Sequence, residues 1–239
     1  MATWLGILWG NTHHHWGWFE GANLLSQQRF RRDEAPLLPN KMDIRLAAVG
    51  EGSLPTTERV RVLTLADVPL LNPYATLGLD RALALVAAGQ LYGWPVLVID
   101  AGTALTFSAA IEVEGQGSFW GGAILPGLGL QAHALAQGTA SLPLVRLWDP
   151  AGSGVLPQNR WATDTTSAIQ SGILNTVVSG IRDFITDWRQ HYPQGRVVFT
   201  GGDGSLLAHS FAEESYCHWD PTLVLKGIPY CGCWPESRE

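Results

Sequence analysis

The stretch PVLVIDAGTALTFSAAI, residues 95–111, decides the fold class, because a buried strand pattern runs into a glycine turn and a second apolar strand follows. The turn is Ala101-Gly102-Thr103. The stretch WLGILWGNTHHHWGWF, residues 4–19, has the same arrangement, with two apolar strands joined by Gly10-Asn11-Thr12. Aligning Gly10 with Gly102 gives a repeat period of about ninety residues, which predicts two related halves.

Both turns contain residues that are suited to binding an anion. Glycine allows close backbone approach, and the Asn or Thr that follows adds a side-chain donor. Two such turns in related halves could hold a polyphosphate through their N–H groups. Each turn taken singly is an ordinary hairpin connection. The two copies, together with a third glycine turn at 201–204, favour a nucleotide ligand.

Two acidic residues are candidates for chemistry. Asp100 ends a buried strand beside Gly102, where a carboxylate needs a partner; it either serves a metal or caps the turn. Asp80 precedes Arg81 at a predicted helix start, where the pair either caps the helix or works on a small molecule. In the second case Asp80 accepts a hydroxyl proton and Arg81 holds an anionic group.

The consecutive residues His13, His14 and His15 raise the alternative of a metal site. Neighbouring side chains on an extended strand point to opposite faces, so only His13 and His15 can share a ligand position. We therefore expect a solvated hairpin edge at this run.

The remaining pattern alternates strands and helices, which predicts an α/β fold. A polar stretch covers 27–40, and another candidate strand covers 60–65. Helices are predicted from Asp80 to Gly89 or Gly93, around 131–137 and over 165–190, and a last strand over 196–200. We place the boundary between the halves near residue 90, as 1–90 and 91–239.

Composition narrows the classes of function. The net charge of -6 argues against nucleic acid as a partner, because duplex binding requires many basic phosphate contacts. No run reaches the roughly 18 apolar residues that a membrane span requires, and we expect a cytoplasmic protein without a membrane partner. Cys217, Cys231 and Cys233 are odd in number and crowd the C-terminal end, which favours reduced thiols over a disulfide framework.

Five blocks in chain order together resemble a type III pantothenate kinase. They are Gly10-Asn11-Thr12 after the first strand, NPY with GLDR at 72–74 and 78–81, IDAGTALT at 99–106, GGAILPGL at 121–128, and TTSAIQSG at 165–172. The resemblance extends from residue 5 to about residue 204, and the GLDR and IDAGTALT blocks are specific to the family rather than generic.

The resemblance implies two duplicated actin-like, ribonuclease H-like halves with a nucleotide cleft between them. It implies ATP-dependent phosphorylation of pantothenate, the first step of coenzyme A synthesis, with Mg²⁺, a monovalent cation such as K⁺ or NH₄⁺, and a homodimeric enzyme. By position, Asp80 would be the general base and Asp100 the cation-binding acid. Pantothenate would contact Tyr74, Gly78, Leu79, Arg81 and Thr165, and ATP would contact Gly10, Asn11, Thr12, Gly102 and Thr103.

The first block departs from the family pattern. Members of that family usually have Asp where this chain has Leu8, and Lys where it has His15. The two losses partly offset each other in charge. The alternative to an active kinase is therefore a homologue that binds pantothenate or nucleotide, or regulates, with little or no turnover.

Overall fold

The computed structural model describes residues 3–10, 12–31, 33–34, 37–49, 58–147 and 159–232. Two compact units divide these residues. The first comprises the described residues of Met1–Trp94, Ala110–Trp120 and Thr222–Glu239, and the second those of Pro95–Ala109 and Gly121–Pro221. The boundary near residue 90 divides the two related halves of the sequence rather than these compact units, and it stays a prediction.

The first unit has a five-stranded sheet. Its strands are β1 (Thr3–Trp9), β2 (His13–Glu20), β3 (Asn23–Arg31), β4 (Ile44–Ala48) and β5 (Val60–Leu63). The order is β3-β2-β1-β4-β5. The pairs β1–β2 and β2–β3 are antiparallel, and the pairs β1–β4 and β4–β5 are parallel. An apolar core on one face contains Leu5, Ile7, Trp16, Ile44 and Leu46.

The first unit also contains α1 (Leu79–Tyr92) and α5 (Leu223–Gly227), with short 3-10 helices at Leu65–Asp67 and Ile228–Tyr230. Helix α1 is buried from Arg81 to Gly89, which explains its nearly continuous apolar sequence. It packs against α5 at Gly227, where a Cβ would overlap the backbone of Leu83. The predicted helix from Asp80 to Gly89 or Gly93 is confirmed.

The second sheet has the order β10-β9-β6-β7-β8. Its strands are β6 (Val96–Ala101), β7 (Ala104–Val113), β8 (Gln116–Pro126), β9 (Arg196–Thr200) and β10 (Cys217–Trp219). Strands β6, β9 and β10 are parallel, and Asp100 lies opposite Thr200 in the register. The turn between β6 and β7 corresponds in strand order to the turn between β1 and β2. The alignment of Gly102 with Gly10 residue by residue stays a prediction.

Three helices complete the second unit: α2 (Leu128–Gly138), α3 (Thr165–His191) and α4 (Gly204–His209). Asp164 caps α3 by accepting a hydrogen bond from the Ser167 N–H at 2.9 Å. The predictions of an α/β fold and of the helices around 131–137 and over 165–190 are confirmed. The prediction that 196–200 is the last strand is wrong, because β10 pairs with β9 later in the chain.

The expectation of a solvated histidine edge is also wrong. Strand β2 lies between β1 and β3, because the partly polar stretch at 23–31 forms a strand outside it. His14 is fully buried and stacks on Trp9, with ring centroids 3.7 Å apart. The alternation of the strand places His13 and His15 on the opposite face, where each is partly buried.

Trp94 provides a test of the packing in the first unit. A Cβ at Gly89 in α1 or at Gly117 in β8 would overlap the Trp94 indole. Replacing a helical glycine with alanine normally stabilises a protein by about 1 kcal/mol. We expect Gly89→Ala instead to lower the free energy of unfolding by about 1–3 kcal/mol, because the indole must move. Chemical denaturation measures the change.

The matched control is Gly180→Ala. Gly180 lies in α3, and a Cβ there would meet nothing within 4 Å. This variant is expected to raise the free energy of unfolding by about 0.5–1 kcal/mol. Equal stabilisation by the two substitutions would contradict the packing of Trp94 against Gly89.

Candidate active site

The start of α1 holds the acidic candidate. Gly78 is the N-cap residue, and the helix begins at Leu79. A Cβ at Gly78 would lie 2.6 Å from Asp80 Oδ1, so a side chain at this position would displace the carboxylate. The Arg81 N–H donates to Asp80 Oδ1 at 2.9 Å. Gly78 and the first turn of the helix therefore hold the carboxylate in place.

The environment of Asp80 raises its pKa above the ordinary value for an aspartate. Burial is the largest cause, because it disfavours the charged form, and the hydrogen bond and positive charge of Arg81 oppose it in part. A carboxylate with a raised pKa is a stronger base than one in water. Asp80 is therefore suited to accept a proton from an alcohol as that alcohol attacks phosphorus.

Arg81 lies beside this base and is only 6% exposed. Its Nη1 donates to the Tyr74 hydroxyl at 2.7 Å. The Tyr74 ring packs edge-on against Phe119, with centroids 5.5 Å apart, and remains 42% exposed. The arrangement combines a base, a cation and an accessible aromatic residue within a few residues of one helix start. It can bind an anionic alcohol and deprotonate it.

The segment that carries Tyr74 is held by β8. Leu71 exchanges two backbone hydrogen bonds with this strand, each 2.8 Å long, with the Gly117 carbonyl and the Phe119 N–H. Asn72 has a φ of 54° and donates to the Ser118 hydroxyl at 3.0 Å. Sequence reasoning missed Ser118 and Phe119 as supports of Tyr74, because they lie more than forty residues away and no local pattern connects them.

A second group of predicted residues lies at the ends of β6 and β9. Asp100 is near the end of β6, and Gly201 follows β9 with a φ of 88°. A Cβ at Gly201 would overlap Asp100 Oδ1 and crowd the Ala101 backbone. The Asp203 N–H donates to the Ala101 carbonyl at 2.9 Å. The third glycine turn of the sequence therefore lies against Asp100.

The turn after β6 is covered by another glycine. The Gly127 N–H donates to the Thr103 carbonyl at 2.9 Å, and a Cβ at Gly127 would overlap the Gly102 carbonyl. Gly102 and Thr103 are therefore held beside the start of α2. Gly127 was not among the predicted site residues, although it lies in the glycine-rich block at 121–128.

A cavity of about 390 Å³ opens beside this group. Its lining comprises residues from α2, the segment 144–147 and the glycine turn, namely Leu128, Gly129, Ala132, His133, Leu144, Val145, Arg146, Leu147 and Asp203. Its size and mixed lining suit a small ligand such as a nucleoside.

The first glycine turn is only partly described. Gly10 lies close to the next strand, because a Cβ there would be 2.6 Å from the His13 carbonyl oxygen. Thr12 is exposed, and Asn11 lies outside the described residues. Thr165, the remaining substrate candidate, is the exposed first residue of α3 in the second unit.

Leu8 and His15, which depart from the family pattern, are direct cross-strand partners in β1 and β2. The pKa of His15 is lowered to about 4, chiefly by burial and then by the Arg29 charge. His15 is therefore neutral at pH 7 and does not replace the charge of a lysine. The Asp and Lys that the family resemblance implies at these positions would face each other, whereas this chain has a neutral pair.

The pairing of Leu8 with His15 predicts that substitutions at these two positions have coupled effects on stability. We expect Leu8→Asp and His15→Lys each to destabilise the protein, because each places a single charge in a partly buried site. The double variant is expected to recover about 0.5–1 kcal/mol of the summed loss through a cross-strand ion pair. Denaturation of the four proteins in a double-mutant cycle measures the coupling, and simple additivity would contradict the pairing.

The described cysteines are poor nucleophiles. Burial raises the pKa of Cys217 and Cys231 to about 12, and both are free thiols. Cys233 lies outside the described residues. The described residues contain no cluster of three or more His, Cys, Asp or Glu side chains that could hold a metal ion. No helix among the described residues is both long and apolar enough to cross a bilayer.

Two mixed sheets of corresponding strand order, when one order is read in reverse, each have a glycine turn after their first strand and define a two-unit α/β fold. The family model of type III pantothenate kinase matches residues 59–187. A type III pantothenate kinase of Synechococcus sp. (strain JA-3-3Ab) is 53% identical over 230 residues, covering 95% of this chain and 91% of the relative. The chain belongs to the type III pantothenate kinase family.

Solved structures agree on the fold. A Campylobacter jejuni protein described as a Baf family transcriptional activator is similar with a TM-score of 0.65 and 23% identity, covering 94% of both chains. A Sinorhizobium meliloti protein described as a 2-dehydro-3-deoxygalactonokinase has a TM-score of 0.56 and 12% identity, covering 99% of this chain and 98% of its own. At these identities the similarity concerns the fold alone.

Proposed function

We propose that this protein transfers the terminal phosphoryl group of ATP to the primary hydroxyl of pantothenate, forming 4'-phosphopantothenate for coenzyme A synthesis. The family supports this reaction. The observation that carries it is the combination of Asp80, with its raised pKa, and the bonded pair of Arg81 and Tyr74. Pantothenate is a carboxylate with a hydroxyl, which matches a cation beside a base.

The chemistry follows from the roles of these residues. Arg81 binds the pantothenate carboxylate and, with Tyr74, Gly78, Leu79 and Thr165, orients the molecule. Asp80 takes the hydroxyl proton as the oxygen forms its bond to the γ-phosphorus. The bond between that phosphorus and the bridging oxygen breaks at the same time, and ADP leaves. Positioning and proton transfer supply the catalysis, because phosphoryl transfer requires little covalent chemistry from the protein.

The glycine turns are the candidate phosphate contacts. They are Gly10, Asn11 and Thr12 in the first block of the sequence and Gly102 and Thr103 in the block at 99–106. Backbone N–H groups and hydroxyls at these positions would donate to phosphate oxygens. The cavity beside Gly129 and Asp203 is of a size that suits a nucleoside.

Asp100 fits a cation. A carboxylate near the end of β6, next to the Ala101 carbonyl, offers the hard oxygen ligands that Mg²⁺ or K⁺ prefers. Asp100 would hold such an ion, and the ion would supply positive charge against the phosphates. A monovalent cation, K⁺ or NH₄⁺, at Asp100 and Mg²⁺ bound with ATP form part of the proposal.

The oligomeric state and the cellular location of the protein are proposed as well. We infer a homodimer, as in the family. The edge strand β8 supports it, because it exposes Trp120 by 44% and Ile124 by 63%. Light scattering of the purified protein measures the mass. A cytoplasmic location, where ATP and pantothenate are available, is also proposed.

A coupled ADP-release assay tests the function, with ATP, Mg²⁺ and either K⁺ or NH₄⁺, in the presence and absence of pantothenate. We expect ADP release that depends on pantothenate, with a phosphorylated product seen by mass spectrometry. Asp80→Asn is the control for contaminating kinases. Tight pantothenate binding by calorimetry without turnover would instead favour the non-catalytic homologue, for which the neutral pair of Leu8 and His15 is the motivating observation.

A further inference from the structure

Strand β3 carries a positively charged side chain, Arg29, on the face of the sheet that ends at the first glycine turn. In the register of the sheet, Leu8 pairs with His15, and His15 pairs with Arg29. Cross-strand partners share a face, and residues two apart on a strand do so as well, so His13 lies on this face too. His13 is the first residue of β2 and directly follows the turn at Thr12. The face that ends at the turn therefore includes Arg29.

The guanidinium of Arg29 points toward the turn end of this face. Its Nη2 lies 2.9 Å from His13 Nδ1 and 3.0 Å from His13 Nε2. This contact is diagonal, because His13 pairs with Arg31 in the register, two residues along β3 toward the turn. The positive charge is thereby held against the residue that follows Thr12.

The charges around Arg29 leave it available for an anion. Both His13 and His15 have lowered pKa values, that of His15 about 4, so these rings are neutral at pH 7. Arg31 lies 3.7 Å from Asp33 in an ion pair. Within the part of the chain that the structure describes, no carboxylate forms an ion pair with Arg29. Glu34 is near enough for its charge to act on His13, but it forms no ion pair with Arg29 among the described residues. A guanidinium without a paired carboxylate can donate two parallel hydrogen bonds to phosphate oxygens.

We propose that Arg29 is a nucleotide-binding residue whose guanidinium contacts the terminal phosphates of ATP beside Gly10 and Thr12. The inference rests on the proposed function, because it takes the polyphosphate of ATP as the ligand of that turn. It assigns to β3 a role that the first block of the sequence does not indicate. It also supplies a positive charge at the turn, where His15 is neutral.

The test compares Arg29→Ala, Arg29→Lys and the matched control Arg31→Ala. Arg31 lies on the same strand and has the same charge, but it is paired with Asp33. Calorimetric titration with ADP and with AMP measures binding without turnover, and steady-state assays give KM for ATP and for pantothenate. Thermal melting of each variant reports on folding.

We expect Arg29→Ala to weaken ADP binding and to raise KM for ATP by about tenfold to a hundredfold, because a charge-assisted hydrogen bond is lost. AMP binding and KM for pantothenate are expected to change little. Arg29→Lys should recover part of the loss through its charge without the planar fork. Arg31→Ala should bind ADP as the unsubstituted protein does.

Three results would overturn the assignment: unchanged ADP affinity in Arg29→Ala, an equal loss in Arg31→Ala, or equal losses for AMP and ADP. The last would indicate a general effect on the fold rather than a phosphate contact. Failure of the unsubstituted protein to bind ADP at all would overturn it as well. Failure to phosphorylate pantothenate would reject only the proposed function, because the ADP titrations decide the role of Arg29 independently.

Discussion

Replacing Asp80 with asparagine is expected to remove pantothenate-dependent turnover while making the protein more stable. The amide keeps the shape of the side chain and can still accept the Arg81 N–H, but it cannot take the proton of the substrate. Loss of a general base lowers kcat by about 10²–10⁴-fold. Pantothenate binding should persist, because Arg81 and Tyr74 are unchanged. A Kd for pantothenate close to that of the unsubstituted protein would show that the variant has lost catalysis and kept binding.

The stability of the same variant depends on pH. Burial raises the pKa of Asp80 in the folded state above its value in the unfolded chain. The free energy of unfolding therefore falls as pH rises from the unfolded-state pKa to the folded-state pKa. Asparagine removes that cost. The melting temperature of Asp80→Asn should therefore exceed that of the unsubstituted protein at pH 7, and the difference should vanish near pH 4. In the active protein, kcat should fall as pH decreases through the raised pKa.

Asp67→Asn is the matched control, because its carboxylate has the opposite shift. The pKa of Asp67 is lowered by the backbone hydrogen bond from Thr64 and then by Arg61, whose Nη2 lies 2.7 Å away. Its stabilisation is present above the unfolded pKa and is lost as pH falls through the folded pKa. Asp67→Asn should lower stability at pH 7 by about 1 kcal/mol and leave kcat unchanged. A stability loss in Asp80→Asn would contradict its raised pKa.

Replacing Gly201 with alanine is expected to lower the free energy of unfolding by about 3 kcal/mol or more. The φ of 88° lies outside the regions that alanine adopts readily, and a Cβ would crowd the Ala101 backbone and overlap the Asp100 carboxylate. The contact is with backbone, which cannot move aside as a side chain can. The ends of β6 and β9 would separate where Asp100 lies, so activity should fall as well. Chemical denaturation and the coupled assay measure both effects.

The neighbouring glycine provides the control. A Cβ at Gly202 would meet nothing within 4 Å, and its φ is not in the left-handed region. Gly202→Ala is expected to change the free energy of unfolding by less than about 1 kcal/mol. Similar losses from the two substitutions would show that the whole turn, rather than the approach of Gly201 to Asp100, governs stability.

Local pattern predicted the elements with strong apolar signals. Helix α1 is buried along most of its length, and β6 is a buried parallel strand, so both have nearly continuous apolar sequences. Strand β3 was missed because most of its residues are exposed and polar at the edge of the sheet. Strand β10 was missed because three residues are too short for a periodic signal, and β4 and β8 were not predicted either.

The candidate site was predicted in part. The blocks containing Asp80 and Asp100 are contiguous in sequence, so their residues could be named without a structure, and their functional roles stay predictions. The supports of Tyr74 could not be named, because Ser118 and Phe119 reach it from β8 through long-range pairing. Arg29 was missed for the same reason, since its place depends on the register between β2 and β3.

The sequence by itself determined the α/β class, the repeated glycine turns and the family, because apolar periodicity and short glycine-containing blocks are local properties of the chain. Only the tertiary structure decided which charged side chains lie together and which residues hold them in place. The neutrality of His15 depends on burial, the raised pKa of Asp80 depends on desolvation, and the place of Arg29 depends on strand pairing. Burial and pairing arise from residues far apart in the chain, and no local pattern encodes them.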